Sequence, residues 1–274
     1  MNLKLFHIYY DVETQNKIQP GFIPLNNLEN KRPDWREYWP IREWKIRNEF
    51  EEDTYYGFFS PKFQDKTNLS FQQVAEFIEK NDADVISFSP FLDHSGPFLN
   101  IFEHGEMSHR GFRLALEHYL QVRNLQFQPF STINDHSKFI FCNFFVAKKF
   151  FWDHWFSHAE FIFQSAENNK DVLGETLNAT AAYKRGVHVL MKVFVVERLA
   201  SLLVNLHPGL KIASYPGKLL PFEGNTPISK YREEIMLADE QKTRFLKIGN
   251  LPDLESFINQ RNKLVQLAIK ESSP

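Results

Sequence analysis

The sequence predicts an α/β protein, an open Rossmann-like sheet flanked by helices with a helical C-terminal part, and three observations predict it. Residues 3–10 are apolar at most positions and stop at the polar run 11–19, the pattern of a first strand. Two later apolar stretches, Tyr55-Tyr56-Gly57-Phe58-Phe59 and Asp84-Val85-Ile86-Ser87-Phe88, each end in Ser-Pro, at Ser60-Pro61 and Ser89-Pro90. Between them Phe71, Val74, Phe77 and Ile78 recur at helical spacing behind Ser70, a good N-cap, so the three pieces read as a β-α-β unit. Ligands of such sheets sit beyond the carboxyl ends of the strands. Ser60, Lys62 and Asp93, which follow those ends, are therefore expected to face one pocket.

The remaining elements follow in order. Residues 20–33 carry prolines and asparagines and read as a loop over the end of the first strand. Residues 34–50, with Trp35, Trp39, Ile41, Trp44 and Ile46, read as a helical stretch that Pro40 should kink or divide. The strand at residues 85–91 is nearly continuously apolar, as suits a strand covered on both faces. A short helical turn is expected near 98–103 and a longer helix at 112–123. Residues 139–146 read as a strand, 149–164 as an aromatic helix and 187–206 as one long buried helix. Residues 208–227 read as an irregular segment before a last helix at 254–269. The expected organisation is a catalytic domain over 1–207, with 208–274 packed on it.

Composition narrows the function classes. The 32 basic and 34 acidic residues nearly cancel, so no global field recruits nucleic acid or anionic lipid. Cys142, the single cysteine, has no internal disulfide partner, and the opening residues read as a strand rather than a signal peptide, which leads to the expectation of a reducing cytoplasm. The greasy stretch 139–155 is interrupted by Asn143, Lys148, Lys149 and Asp153, too often for a bilayer span. Any membrane contact is expected to be peripheral, at the inner face.

Several polar groups are candidates for chemistry. Asp82-Ala83-Asp84 has the form of a diphosphate-metal D-x-D, but it precedes its strand and so belongs at the wrong end of the sheet. Asp93-His94 follows the strand, where a carboxylate could take a metal or a sugar hydroxyl. Glu103, His104, Glu106 and His109 cluster without the spacing of a zinc motif, so the histidines read as a polar surface loop. Glu106 continues from the strand end that carries Asp93. Asn143 lies in an apolar run, where burial demands either a hydrogen-bonded core network or a ligand. Lys192, Glu197 and Arg198 punctuate another apolar run, and a carboxylate aimed into a cleft from it could bind hydroxyls or act as a base.

The order of these pieces resembles a group of bacterial GT-A-like glycosyltransferases of capsule and lipopolysaccharide biosynthesis. The resemblance rests on Ile8-Tyr9-Tyr10, Pro24-Leu25-Asn26-Asn27, Trp35 to Trp39, Tyr55 to Lys62, Asp84 to Pro90, Asn143 to Lys148 with Phe151-Trp152, and Lys192 to Leu199. The group's basic pair appears here as Ser60-Pro61-Lys62, and its D-x-D is not evident. The resemblance implies a GT-A-like mixed sheet and transfer of a sugar from a nucleotide-sugar donor to a glycan or lipid-linked glycan acceptor. It implies that Tyr9, Tyr10 and Asp11 cradle the nucleoside, with Ser60 beside them. Lys62 would neutralise the diphosphate, Asp93 would hold donor sugar or a divalent cation (Mn or Mg), and Asn143, Glu197 and Arg198 would contact substrate. Asp93 and Glu197 are the catalytic candidates. Two other classes stay open: a carbohydrate- or nucleotide-binding protein of this fold without catalysis, and a metal-dependent hydrolase built on Asp93, Glu106 and the histidines.

Overall fold

The computed structural model describes residues 2–184, 187–222 and 228–272. Among them, six strands form one sheet in the order β2-β1-β3-β5-β4-β8. They are β1 (Asn2–Tyr9), β2 (Ile23–Asn26), β3 (Thr54–Phe59), β4 (Val85–Ser87), β5 (Phe145–Ala147) and β8 (Ile212–Ser214). β2, β1 and β3 pair in parallel, β4 and β8 likewise, and β5 runs antiparallel between β3 and β4. The sheet is thus mixed and the protein α/β. β3 and β4 have one direction, yet they are not neighbours as a simple β-α-β unit would have them. Gly57 makes β5's insertion there feasible, since a Cβ on it would meet Val146 Cγ2 at 2.8 Å.

Burial follows position in the sheet. β3, β4 and β5 are buried at every residue, while β2 at the edge is mostly exposed, as expected for strands covered on both faces against one at the rim. The helix Lys149–Asn168 lays Phe151, Trp152, Trp155, Phe156 and Ile162 on the core. Trp152 donates its indole N–H to the Tyr56 carbonyl at 2.9 Å, which meets the polar requirement of this buried ring and ties the helix to β3.

Several expectations need correction. The run 187–206 is not one helix. Val187–Leu190 is β7, paired antiparallel with β6 (Thr180–Lys184), and the helices Met191–Glu197 and Leu199–Leu206 meet at Arg198. The alternation Val187-His188-Val189 suits a hairpin strand, and the apolar continuity after it hid the break. Residues 139–144 form a loop because Cys142 and Asn143 both take positive φ, 58° and 54°, which ends strand geometry. Residues 20–33 and 208–222 each contribute an edge strand, β2 and β8; residues 223–227 lie outside the described ones. Pro40 sits in the first turn of the helix Tyr38–Arg47 and does not divide it, since a first-turn N–H has no partner to lose. The helix Arg232–Ile248 was not foreseen; with Leu251–Ser272 it forms a hairpin over a second apolar cluster of Leu92, Ile228, Ile235, Ala238, Phe257 and Leu264. Among the described residues no helix is long and apolar enough to cross a membrane.

Candidate functional site

The site is built by strand direction. β1 and β3 finish at Tyr9 and Phe59, and β5, being antiparallel, starts at that same edge. Tyr56 faces Ala147 and Gly57 faces Val146, so the loop that leads into β5 reaches the edge where β3 ends, and Ser60 and Asn143 line the same cleft. A cleft of ≈ 550 Å³ opens at this edge and is lined by Tyr10, Ser60, Lys62, Asn143 and Glu197, five of the expected residues. Asn143 is 6% exposed, and its side-chain Oδ1, turned into buried space at the cleft wall, has no hydrogen-bond partner.

Charge in the cleft is mixed and concentrated. Lys17, Arg36, Lys62 and Lys66 share it with Glu37, Asp65 and Glu197. Burial pushes the Glu37 carboxyl above the usual range, and the neighbouring Glu197 carboxylate adds to the rise against the pull of Arg36 and Lys62. Burial likewise raises the Tyr10 phenol, with Glu37 contributing. The cleft therefore brings Lys17, Arg36, Lys62 and Lys66 beside Glu37 and Glu197, and the Glu197 charge adds to the upward shift of Glu37.

Arg36 and Glu37 come into the cleft through a braced turn. The turn Pro33–Trp35 is tied by Trp35 Nε1 donating to Glu167 at 3.0 Å and by Arg32 bridging Asp34 and Glu167 at 2.9 and 2.6 Å. Lys192, buried on the helix that ends with Glu197, donates to Asp34 at 2.7 Å and lies 4.3 Å over the Trp35 ring. Although burial works against ionisation there, Arg32 and Lys192 hold the Asp34 carboxyl down at about 2. Directly after the turn Arg36 has φ 51° and ψ −134°, a region that residues with a Cβ rarely adopt. Such strain clusters at functional sites, where surrounding packing enforces it.

Other expected residues lie elsewhere. The Tyr9 side chain is buried, and Asp11 caps the helix Val12–Asn16 by accepting from the Thr14 N–H at 2.7 Å. Asp93 is displaced because the chain after β4 coils into the helix Leu92–Ser95, which tucks it beneath the C-terminal hairpin; Ser229 Oγ donates to it at 3.3 Å. Glu106 accepts from the Gly111 and Arg113 N–H groups at 3.2 and 2.7 Å, bracing the start of the helix Phe112–Val122. Arg198 is buried behind the cleft wall, donating to the carbonyls of Ile101 and Phe194 and to Glu197 Oε2 at 3.4 Å. Its side chain is buried and absent from the cleft lining.

The histidines are not a surface loop. His104 and His109 are buried, His94 Nδ1 lies 3.1 Å from His104 Nε2, and His109 stacks on Phe194. Their rings serve as aromatic packing, which helical periodicity did not reveal. Burial keeps the His104 imidazole well below its ordinary pKa. Among the described residues no three His, Cys, Asp or Glu side chains converge to hold a metal ion, and Asp93, the residue expected to take a cation, lies outside the cleft lining. Asp82-Ala83-Asp84 stands at the far end of the sheet, where Asp82 pairs with Lys148 at 2.9 Å and Asp84 accepts from the Lys211 N–H at 2.8 Å.

Sequence reasoning missed Lys17, Arg36, Glu37, Asp65, Lys66 and Cys142. The signal for Arg36 and Glu37 was a charged pair inside the aromatic run Trp35 to Trp39, hidden by reading the run as continuous helix. No protein-family model, no curated protein and no solved structure matches this chain.

Proposed function

We propose that the cleft binds a nucleotide-sugar and that the chain is a GT-A-like glycosyltransferase, passing the sugar to a hydroxyl of a bacterial surface glycan or its lipid-linked precursor. The observation that carries this reading is the convergence of Lys17, Arg36, Lys62 and Lys66 with Glu37 and Glu197 in one cleft at the carboxyl ends of parallel strands. The lysines and Arg36 suit a diphosphate whose negative charge grows as it departs. Glu37, held above the usual carboxyl range, is the assigned proton acceptor for the attacking hydroxyl. As the acceptor oxygen bonds to the anomeric carbon, the bond from that carbon to the diphosphate oxygen breaks, and the hydroxyl proton passes to Glu37. The half-buried Tyr10 offers aromatic surface to a base or a sugar face, and the Asn143 amide offers a hydrogen bond to a sugar hydroxyl. Every step above is assigned to side chains of the cleft itself.

The test is ligand-induced stabilisation with uridine and guanosine diphosphate sugars, followed by mass spectrometry of the products formed with glycan acceptors. A ligand that binds only the folded state raises the melting temperature; no response to any nucleotide would overturn the reading. The second reading, binding without transfer, draws on the placement of Asp93 outside the cleft. Nucleotide-dependent stabilisation with neither transfer nor hydrolysis would select it.

A further inference from the structure

Cys142, the single cysteine of the chain, lines the cleft and is only partly buried. The Lys66 ammonium donates to its Sγ at 3.3 Å, and the buried Arg198 guanidinium is close enough to interact with the sulfur electrostatically. A lysine hydrogen-bonded to the sulfur, with a second cation within electrostatic range, favours thiolate over thiol, and the thiolate is the nucleophile. The adjacent residue gives a separate sign that this corner receives a ligand. Asn143 is more than nine-tenths buried, lines the same cleft, and its Oδ1 lacks a hydrogen-bond partner, a state that costs free energy until an incoming group supplies a donor.

We propose that Cys142 is a reactive thiolate and a modification site of the cleft, with low-molecular-weight disulfides as its co-reactant. The thiol proton goes first to solvent. The Cys142 sulfur then attacks one sulfur of the disulfide, a new S–S bond forms, the old one breaks, and the other half leaves as a thiolate that takes up a proton from water. The adduct occupies the space beside Asn143 and Lys66 and so excludes other ligands. Because the chain has no second cysteine, an external thiol must reverse the reaction. The assignment rests on Lys66, Arg198 and Asn143 and is independent of which ligand the cleft serves.

Two measurements on the full chain test it. Intact-mass spectrometry after incubation with oxidised glutathione should show one adduct per chain. Iodoacetamide alkylation followed against pH should show a midpoint below that of the urea-unfolded chain, which is expected at about 8.5. Lys66→Met should move the native midpoint up toward the unfolded one, and Lys66→Arg should leave it low. A native midpoint at or above the unfolded value, a missing glutathione adduct, or a folded Lys66→Met variant with wild-type behaviour would overturn the proposal. The wild-type titration stands even if the variants fail to fold. If uridine diphosphate does not slow an otherwise fast alkylation, the nucleotide reading of the cleft suffers and the thiol assignment stands.

Discussion

Lys192 and Asp34, 158 residues apart in sequence, meet at 2.7 Å and join the two halves of the cleft. Asp34 belongs to the turn that presents Arg36 and Glu37, and Lys192 belongs to the helix that ends at Glu197. The Lys192 side chain is 3% exposed and Asp34 32%, so water screens the contact only from the carboxylate side. Lys192→Met should leave Asp34 without its buried cation and destabilise the fold by about 1–3 kcal/mol. It should also weaken nucleotide-sugar binding by letting Glu37 and Glu197 drift apart. Denaturant unfolding checks the first outcome and titration calorimetry the second.

Glu37 ties stability to pH. Burial lifts its carboxyl pKa in the folded chain, so the folded state holds more protons than the unfolded one above the unfolded pKa. The associated stability is fully present below the unfolded pKa and is lost as pH rises through the folded pKa. Glu37→Gln should therefore raise the melting temperature at neutral pH, by about 2–4 °C per kcal/mol recovered, and change it little near pH 4. Transfer should fall at least ~100-fold if Glu37 takes the proton. Melting curves at the two pH values and initial rates with a glycan acceptor decide the two parts separately.

Lys242 shows the opposite case. It is buried between the Phe139 and Phe257 rings and donates to the carbonyls of Ser95 and Phe98 at 2.6 and 2.8 Å. Burial depresses its pKa to about 8 from 10.5, with Asp239 pulling the other way. Between these values the unfolded chain binds more protons, so stability rises with pH across the window, by about 3 kcal/mol in all. Urea midpoints measured from pH 7 to about 10.5 should show that rise in the wild type. Lys242→Met should flatten it.

Asn143 sets function against stability. Its φ of 54° and its unpartnered Oδ1 both cost free energy. Asn143→Gly should relieve both and stabilise the fold by about 1 kcal/mol. The same change removes the amide offered to the ligand and should weaken binding by about tenfold, the usual effect of one lost neutral hydrogen bond. A variant that loses stability and keeps affinity would show that the amide serves the core.

Gly57→Ala tests the packing that lets β5 lie between β3 and β4. The new methyl would meet Val146 Cγ2 at 2.8 Å, with β5 on one side and the β1 neighbour on the other. Overpacking of this kind costs about 1–3 kcal/mol. Chemical denaturation should show that loss with the cleft still able to bind.

Much of this was written locally in the chain. Apolar runs ending in Ser-Pro marked where β3 stops and where β4 turns away, and Ser70 with Gln73 forms the capping box that starts the helix between them. From those strand ends Ser60 and Lys62 could be placed in a pocket, and polar residues inside apolar runs pointed to Asn143 and Glu197. Alternation and helical period are properties of neighbouring residues, and they survive without knowledge of the rest of the fold. What failed to show locally was pairing between distant segments. Asp93 follows a strand end as Lys62 does, yet the chain after β4 coils into a short helix that the C-terminal hairpin covers. Arg36 and Glu37 reach the cleft only because Lys192 and Glu167 hold their turn. Cys142 becomes a cleft residue only because the antiparallel β5 enters the sheet at the edge where β3 ends. By itself, then, the sequence determined β1, β3, β4, the helices Phe71–Glu79, Phe112–Val122 and Lys149–Asn168, and the residues at those strand ends, since these follow from hydrophobic period and capping within a few residues. The tertiary structure alone decided which charges share the cleft, because that depends on strand order and on ion pairs between segments more than a hundred residues apart.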